Sequence, residues 1–223
     1  TSRHALELRE QPEAVAIIGA SAIGCEFAYY FNSYGVNVMM FEMLPHLVPR
    51  EDEEVSVELE RQFGRQGIEF ALAASVSGVE KKNGRLAVQY ELGGEKQEFV
   101  CDKVLLGVGV QPNTDGIGIE DLGIKTVGPG FIEVDGNMRT NVGGVYAVGD
   151  VNGKLQLAHV AFEQGVVAAE TIAGHETTPI DDYTNMPRCT YCQPQIASIG
   201  LTEAEAREQG INVKVGKVPF AVA

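Results

Sequence analysis

The sequence predicts an α/β protein built on a parallel sheet, with an antiparallel meander set into it. Three observations lead there. A short apolar run at 15–18 passes through Gly19-Ala-Ser-Ala-Ile-Gly24 into a helical pattern, and a second apolar run at 36–42 follows almost at once. A strand, helix and strand joined this tightly run parallel. Between 76 and 100 the pattern changes to short alternating segments, LAVQYEL and KQEFV, broken by Asn83-Gly84 and Gly93-Gly94, which are hairpin signals. The stretch DKVLLGVGV, 102–110, then reads as a return to a buried strand.

Each element has a local cause. Residues 15–18 are apolar throughout, as in a strand covered on both faces. The helix over 22–34 ends near Gly35, and 36–42 is the second strand. Pro49 with Glu51, Asp52, Glu53 and Glu54 opens another helix, because acids favour the positive end of the helix dipole, and Gly67 ends it. Past Gln111-Pro112-Asn113 the composition is rich in turn residues; VYAVGD, 145–150, reads as a compact apolar strand leading by a loop into a helix over about 158–173. GHETTPIDDYTNMP, 174–187, reads as a linker into a third region that begins a strand and a helix, LTEAEAREQG. We expect domains at 1–112, 113–180 and 181–223, the last of them truncated.

Composition narrows the function. The 223 residues carry a net charge of −14, which opposes phosphate backbones and anionic membranes. No apolar run reaches the roughly 18 residues of a membrane span, and no signal peptide is read at the start. We expect a cytoplasmic protein with neither nucleic acid nor membrane as partner. Four cysteines at irregular positions make no disulfide framework. Cys189 and Cys192 have the spacing of a redox motif, but Pro187, Pro194 and the strand-like QIASIG flank them, and in an extended segment positions i and i+3 point to opposite faces. They read as structural, and no metal site is expected, since zinc would need more ligands.

The glycine-rich turn carries the chemistry. In a dinucleotide fold the first glycine makes the tight turn, the second admits the pyrophosphate and the third lets helix and strand pack closely, while the helix N-terminus offers free N–H groups to phosphates. Here Gly19 and Gly24 hold the first and third places and Ser21 the second. Glu42, at the end of the second strand, lies near the spacing of about 20 positions expected for an acid that accepts from the adenosine ribose. A carboxylate there repels a 2′-phosphate, and only Arg50 lies nearby to offset it. NAD is therefore favoured over NADP.

Longer motifs add a resemblance. Asp150 in YAVGD, followed by LQLAHVAFEQG, resembles the FAD-holding segment of the two-dinucleotide flavoprotein reductases. FEMLPHLVPREDEEVSVELERQFGRQGIEF, CDKVLLGVGVQPNTDGIGIEDLGI, MPRCTYCQPQIASIGLTEAEAREQGI and VGKVPFAVA are together similar to the dihydrolipoamide dehydrogenase family, over essentially all 223 residues. The resemblance implies a Rossmann-like NAD-binding domain with its meander, the C-terminal part of a second, FAD-binding domain of the same type, and the start of an α+β interface domain. It implies that Gly19, Ala20, Ser21, Ala22, Ile23 and Gly24 hold the pyrophosphate. Glu26 would lie near the nicotinamide, Glu42 on the adenosine ribose, Val76 beside the adenine and Gly109 along the dinucleotide path. For FAD it implies Asp150, Gln156, Leu157, Ala158 and His159.

The implied activity passes electrons from dihydrolipoamide to a disulfide, then through FAD to NAD. The implied partners are a second subunit, giving a homodimer at full length, and the lipoyl domains of 2-oxoacid dehydrogenase complexes or the glycine cleavage system. The family's redox cysteine pair would lie before Thr1 and its histidine-glutamate pair beyond Ala223, so no catalytic residue is expected in this chain. His159 and Glu163 fall in the flavin-facing segment; His4, His46 and His175 read as surface or packing residues. The sequence departs from the family at Ser21, at Val110 where many members carry arginine, and at YCQPQIA. A mercuric or glutathione reductase relative, or a non-catalytic nucleotide-binding fragment, is the alternative; the basic residues that would bind a 2′-phosphate are missing after Glu42, which counts against a glutathione reductase.

Overall fold

In a computed structural model, which describes residues 1–220, the chain forms two compact units. One comprises Thr1–Gly109 with Cys189–Ala223, the other Val110–Arg188. The end of VGKVPFAVA, at 221–223, lies outside the described residues.

The first unit runs α1 (Ser2–Leu6), β1 (Ala14–Ile18), α2 (Ala22–Ser33), β2 (Asn37–Phe41), α3 (Glu53–Gln66), β3 (Glu69–Ala71), β4 (Ser75–Lys82), β5 (Arg85–Leu92), β6 (Glu95–Cys101) and β7 (Lys103–Leu106). Its parallel sheet has the order β3-β2-β1-β7, with Val15 opposite Val38 and Lys103, and Met40 opposite Ile17 and Phe70. The alternation of side chains along each strand decides what covers each face. Val15, Ile17, Val38 and Met40 pack with Cys25, Ala28, Phe31, Leu59 and Phe63 of the helices. Ala14, Ala16, Met39 and Phe41 pack with Val88, Tyr90 and Cys101 of the meander β4-β5-β6. Helices therefore cover one face and an antiparallel sheet the other.

The sequence reading placed a buried strand over 102–110, but β7 ends at Leu106, and Leu106 and Val108 are 50% and 70% exposed. The reason is pairing. β1 stops at Ile18, whose carbonyl takes a last hydrogen bond from Gly107 N–H at 2.7 Å, so residues beyond have no strand beside them.

The second unit contains the small hairpin β8 (Thr126–Val127) and β9 (Phe131–Ile132), a single 3₁₀ turn over Gly149–Asn152, and α4 (Ala158–Ala173). VYAVGD does not form the expected strand: it has one bridge, Tyr146 opposite Arg139, before the 3₁₀ turn begins. An apolar run marks a buried segment, and it becomes a strand only where a neighbour offers a ladder. Residues read as a linker pack into this unit, with Ile180 N–H donating to Gly136 O at 2.8 Å.

From residue 189 the chain groups with the first unit. β10 (Arg188–Thr190) and β11 (Ile196–Ser198) pair, and α5 (Glu203–Glu208) starts with a capping box between Thr202 and Glu205. Cys192 and Ile196 join the core under α2 and α3, while Glu203 N–H donates to Asp52 Oδ1 at 2.7 Å and Gln66 Nε2 to Gln193 O at 2.7 Å.

Candidate dinucleotide site

The turn between β1 and α2 is shaped by two close approaches. Gly19 has φ +97°, and a Cβ there would lie 2.7 Å from Gly107 O. A Cβ on Gly24 would lie 2.0 Å from Gly19 O. Both positions exclude any side chain, so α2 enters tightly against the turn, as a pyrophosphate cradle requires. Ser21 is the N-cap of α2 and its side chain makes no capping bond, leaving the positive end of the helix without a side-chain acceptor. Ser21 has φ −74° and ψ −171°, an extended conformation open to any residue. The backbone at the second position therefore needs no glycine, and only the added side chain has to be accommodated.

Glu42 meets this turn directly. Its Oε2 accepts from Ala20 N–H at 2.7 Å and its Oε1 from Leu44 N–H at 2.9 Å. An ionised carboxylate offers about four acceptor positions, so two are engaged and the others can face a ribose diol. The Ala20 carbonyl accepts from Val48 N–H at 2.8 Å and from the Cys25 thiol at 3.3 Å. Neither the anchoring by Glu42 nor that by Val48 is visible in the motif itself.

The remaining positions divide. Val76 lies in β4 opposite Tyr90, just past Ala74, whose N–H donates to the Glu42 carbonyl at 2.9 Å. Gly109 has φ +121° and open space around it, two residues beyond the Gly107 that abuts Gly19. Glu26, on α2, accepts from Tyr191 N–H at 2.8 Å and so ties the segment after β10 to the helix. Burial raises the Cys25 thiol far out of the ordinary range, and burial with the nearby Glu26 carboxylate raises Cys192 to about 11. Both stay protonated at neutral pH and are poor nucleophiles.

In the second unit Asp150 is exposed on the 3₁₀ turn. That turn is fixed from behind by Gln164, which is fully buried: its Oε1 accepts from Gly149 N–H at 2.7 Å and Asn152 Nδ2 at 2.8 Å, and its Nε2 donates to the Tyr183 hydroxyl at 3.0 Å. Sequence reasoning missed Gln164 and Asn152. The signal was available, because Gln164 falls on the apolar face of α4 that carries Val160, Val167 and Ala168. Gln156 and Leu157 are half-buried and Ala158 and His159 exposed at the start of α4, where no side chain caps the helix. His159 Nε2 lies 2.9 Å from Pro187 O; a carbonyl only accepts, so Nε2 carries the hydrogen.

Known proteins resemble both units. The family model described as pyridine nucleotide-disulphide oxidoreductase matches residues 1–165, and that of its dimerisation domain matches 186–223. A dihydrolipoyl dehydrogenase of Mycobacterium leprae is 48% identical over 212 residues, 95% of this chain and 45% of the relative. One from Corynebacterium glutamicum is 44% identical over 94% of this chain and 46% of its own. Among solved structures, the HOCl-induced flavoprotein disulfide reductase RclA from Escherichia coli superposes with a TM-score of 0.87 at 28% identity, covering 97% of this chain and 49% of that one. LpdA from Mycobacterium tuberculosis does so with a TM-score of 0.82 at 28% identity, over 93% and 44%. The chain spans about half the length of the curated relatives it matches. The cradle at 19–24, the acid that pins it and the match across both units lead to one conclusion: this chain belongs to the pyridine nucleotide-disulphide oxidoreductase family, whose members bind FAD and NAD(P).

Proposed function

We propose that the whole protein is an NAD-dependent dihydrolipoyl dehydrogenase, and that this chain supplies its NAD site and part of its FAD site. The observation that carries the reading is the turn at 19–24, closed to side chains at Gly19 and Gly24 and bonded through Ala20 to Glu42. Names of the 40–48% identical relatives support the specific reaction. In this reading residues 1–112 form the NAD-binding domain, 113–180 the C-terminal part of the FAD-binding domain and 181–223 the beginning of the interface domain of a homodimer. Lipoyl domains of 2-oxoacid dehydrogenase complexes or of the glycine cleavage system are its partners. Free cysteines fit a reducing, cytoplasmic compartment, and among the described residues no helix is long and apolar enough to cross a membrane.

Bound NAD supplies the hydride acceptor and bound FAD the relay between thiols and nicotinamide. The chain's own groups bind and orient. Backbone N–H groups at the start of α2 hold the pyrophosphate of NAD, and Glu42 accepts from the adenosine ribose while repelling a 2′-phosphate. Asp150 would hold the FAD ribityl chain, and the start of α4, with Gln156, Leu157, Ala158 and His159, would offer the positive end of its dipole to the flavin. Fluorescence titration of the chain with NADH and NADPH tests the reading. NADH should bind with a several-fold preference, and hydrogen exchange should show protection at 19–24 and around Glu42. No NADH binding, or preference for NADPH, would overturn it.

A further inference from the structure

We propose that Glu60, on α3 and outside the glycine motif, is a positioning residue for nucleotide binding: it fixes the loop after β2 that in turn fixes the pyrophosphate turn. The inference rests on the reading of 19–24 as that turn.

The Ala20 peptide is fully buried and held at both ends, its N–H by Glu42 and its carbonyl by Val48 N–H at 2.8 Å. Both holding residues belong to one short stretch, 42–48, so the turn is only as well placed as that stretch. Val48 has φ +43° and is 4% exposed. A β-branched residue is rarely left-handed, and such a conformation persists only where its surroundings impose it. The Val48 carbonyl accepts from Glu51 N–H at 2.9 Å, and two side chains of α3 add to the restraint. Ser56 Oγ donates to the Val48 carbonyl at 3.4 Å, at the long end of hydrogen-bonding range. Glu60 acts more strongly, since one carboxylate oxygen meets two consecutive residues. Its Oε1 accepts from Leu47 N–H at 3.1 Å and lies 3.1 Å from His46 Nδ1. The Glu60 side chain is 16% exposed and the Leu47 side chain fully buried, so water competes little for these contacts. His46 Nε2 also lies 3.8 Å from Glu53 Oε1, a longer contact that cannot replace the first. The path runs from Glu60 to Leu47, through the next peptide to Val48, and across one hydrogen bond to Ala20. It reaches the turn at 19–24 through the Ala20 carbonyl and passes through neither Glu42, the proposed ribose acceptor, nor Val76, the residue proposed beside the adenine.

That selectivity supplies the test. Kd values for NADH, ADP and adenosine are measured on the chain and its variants, well below each melting temperature. Glu60→Ala should weaken NADH and ADP by roughly tenfold, comparable to one charge-assisted hydrogen bond, and adenosine less than twofold. Glu60→Gln, which keeps an acceptor for Leu47 N–H, should recover most of the loss. Glu60→Met keeps the length and helix propensity and serves if the alanine variant does not fold. In the wild type, ADP but not adenosine should slow amide exchange at Leu47 and Val48. Unchanged NADH affinity in Glu60→Ala, an equal loss for all three ligands, or identical exchange with ADP and adenosine would overturn the inference alone. A wild-type chain that binds no NADH would overturn the site reading with it.

Discussion

The chain contains two long helices, α2 and α4, that begin without a side-chain cap and carry residues assigned to cofactors. They are built differently. At α2 the preceding turn is closed by backbone from three other places: Phe41 O accepts from Gly19 N–H, Gly107 approaches Gly19, and Val48 bonds Ala20. At α4 the preceding 3₁₀ turn is fixed by side chains of the same unit, Gln164 and Asn152 through hydrogen bonds and Phe131 by packing against Gly153, and Asp150 is exposed. A helix N-terminus favours anions in either case. What sets the start of α2 apart is the surrounding backbone, which closes the turn at Gly19 and Gly24 to any side chain.

The largest test of this contrast compares two helical glycines. Gly24→Ala puts a methyl 2.0 Å from the Gly19 carbonyl oxygen, and backbone on both sides must move. We expect a loss of about 3 kcal/mol or more in urea unfolding and no detectable NADH binding. Gly165→Ala, in α4, meets nothing within 4 Å. It should stabilise by up to about 1 kcal/mol through helix propensity. Equal effects of the two would mean that the close approach of Gly24 to Gly19 does not constrain the start of α2.

Next in size is Gln164→Leu. It removes the acceptor for Gly149 N–H and Asn152 Nδ2 in a fully buried site, which leaves Gly149 N–H unpaired and Asn152 Nδ2 with the Ala147 carbonyl. A loss of about 2 kcal/mol is expected, with faster amide exchange at Gly149. Gln164→Glu retains the acceptors and should lose less. NADH affinity should not change in either variant; if it does, the two sites are not independent.

Glu42→Ala comes third. It should weaken NADH by about 1–2 kcal/mol, the scale of charge-assisted hydrogen bonds to the ribose, and NADPH by less, because a repulsion is removed. Since Glu42 also anchors Ala20 and Leu44, the melting temperature of the nucleotide-free protein should fall as well. Calorimetry showing equal losses for both nucleotides would move Glu42 out of the ribose site and leave it as an anchor of the turn.

These variants also mark what the sequence makes legible. The turn, α2, β2 and α4 announce themselves locally: α4 spans Ala158–Ala173, as its pattern predicts, because a turn-rich segment precedes it and Gly174 ends it. Glu42 is legible as a strand-end acid at the right distance. Its bond to Ala20 is not, because it depends on how β1 and β2 align across the sheet. Val48 gives no hint of its left-handed backbone, which tertiary contacts impose, and Glu60 reads as one more exposed acid of a charged helix. The end of β7 was misjudged for a related reason, since VLLGVGV does not say where its neighbour β1 stops.

The smallest expected effect belongs to Ser21, and its sign is the sharpest question about the cradle. The backbone there is extended and the hydroxyl caps nothing, so Ser21→Gly relieves no strain and removes no bond. Replacing serine by glycine at an N-cap costs only a few tenths of a kcal/mol, and the melting temperature should barely move. With nucleotide present, two terms compete. The Cβ and hydroxyl occupy space where the family brings backbone close to the pyrophosphate, while the hydroxyl could donate to a phosphate oxygen for a net gain of about 1 kcal/mol. In the proposed site the phosphates would already have backbone donors at the start of α2, so that gain would be largely redundant and steric exclusion should dominate. NADH should therefore bind several-fold more tightly to Ser21→Gly. Unchanged or weaker binding in fluorescence titration would make Ser21 a phosphate ligand in its own right, and a crystal soaked with NADH showing the pyrophosphate away from 19–24 would remove the turn from the site.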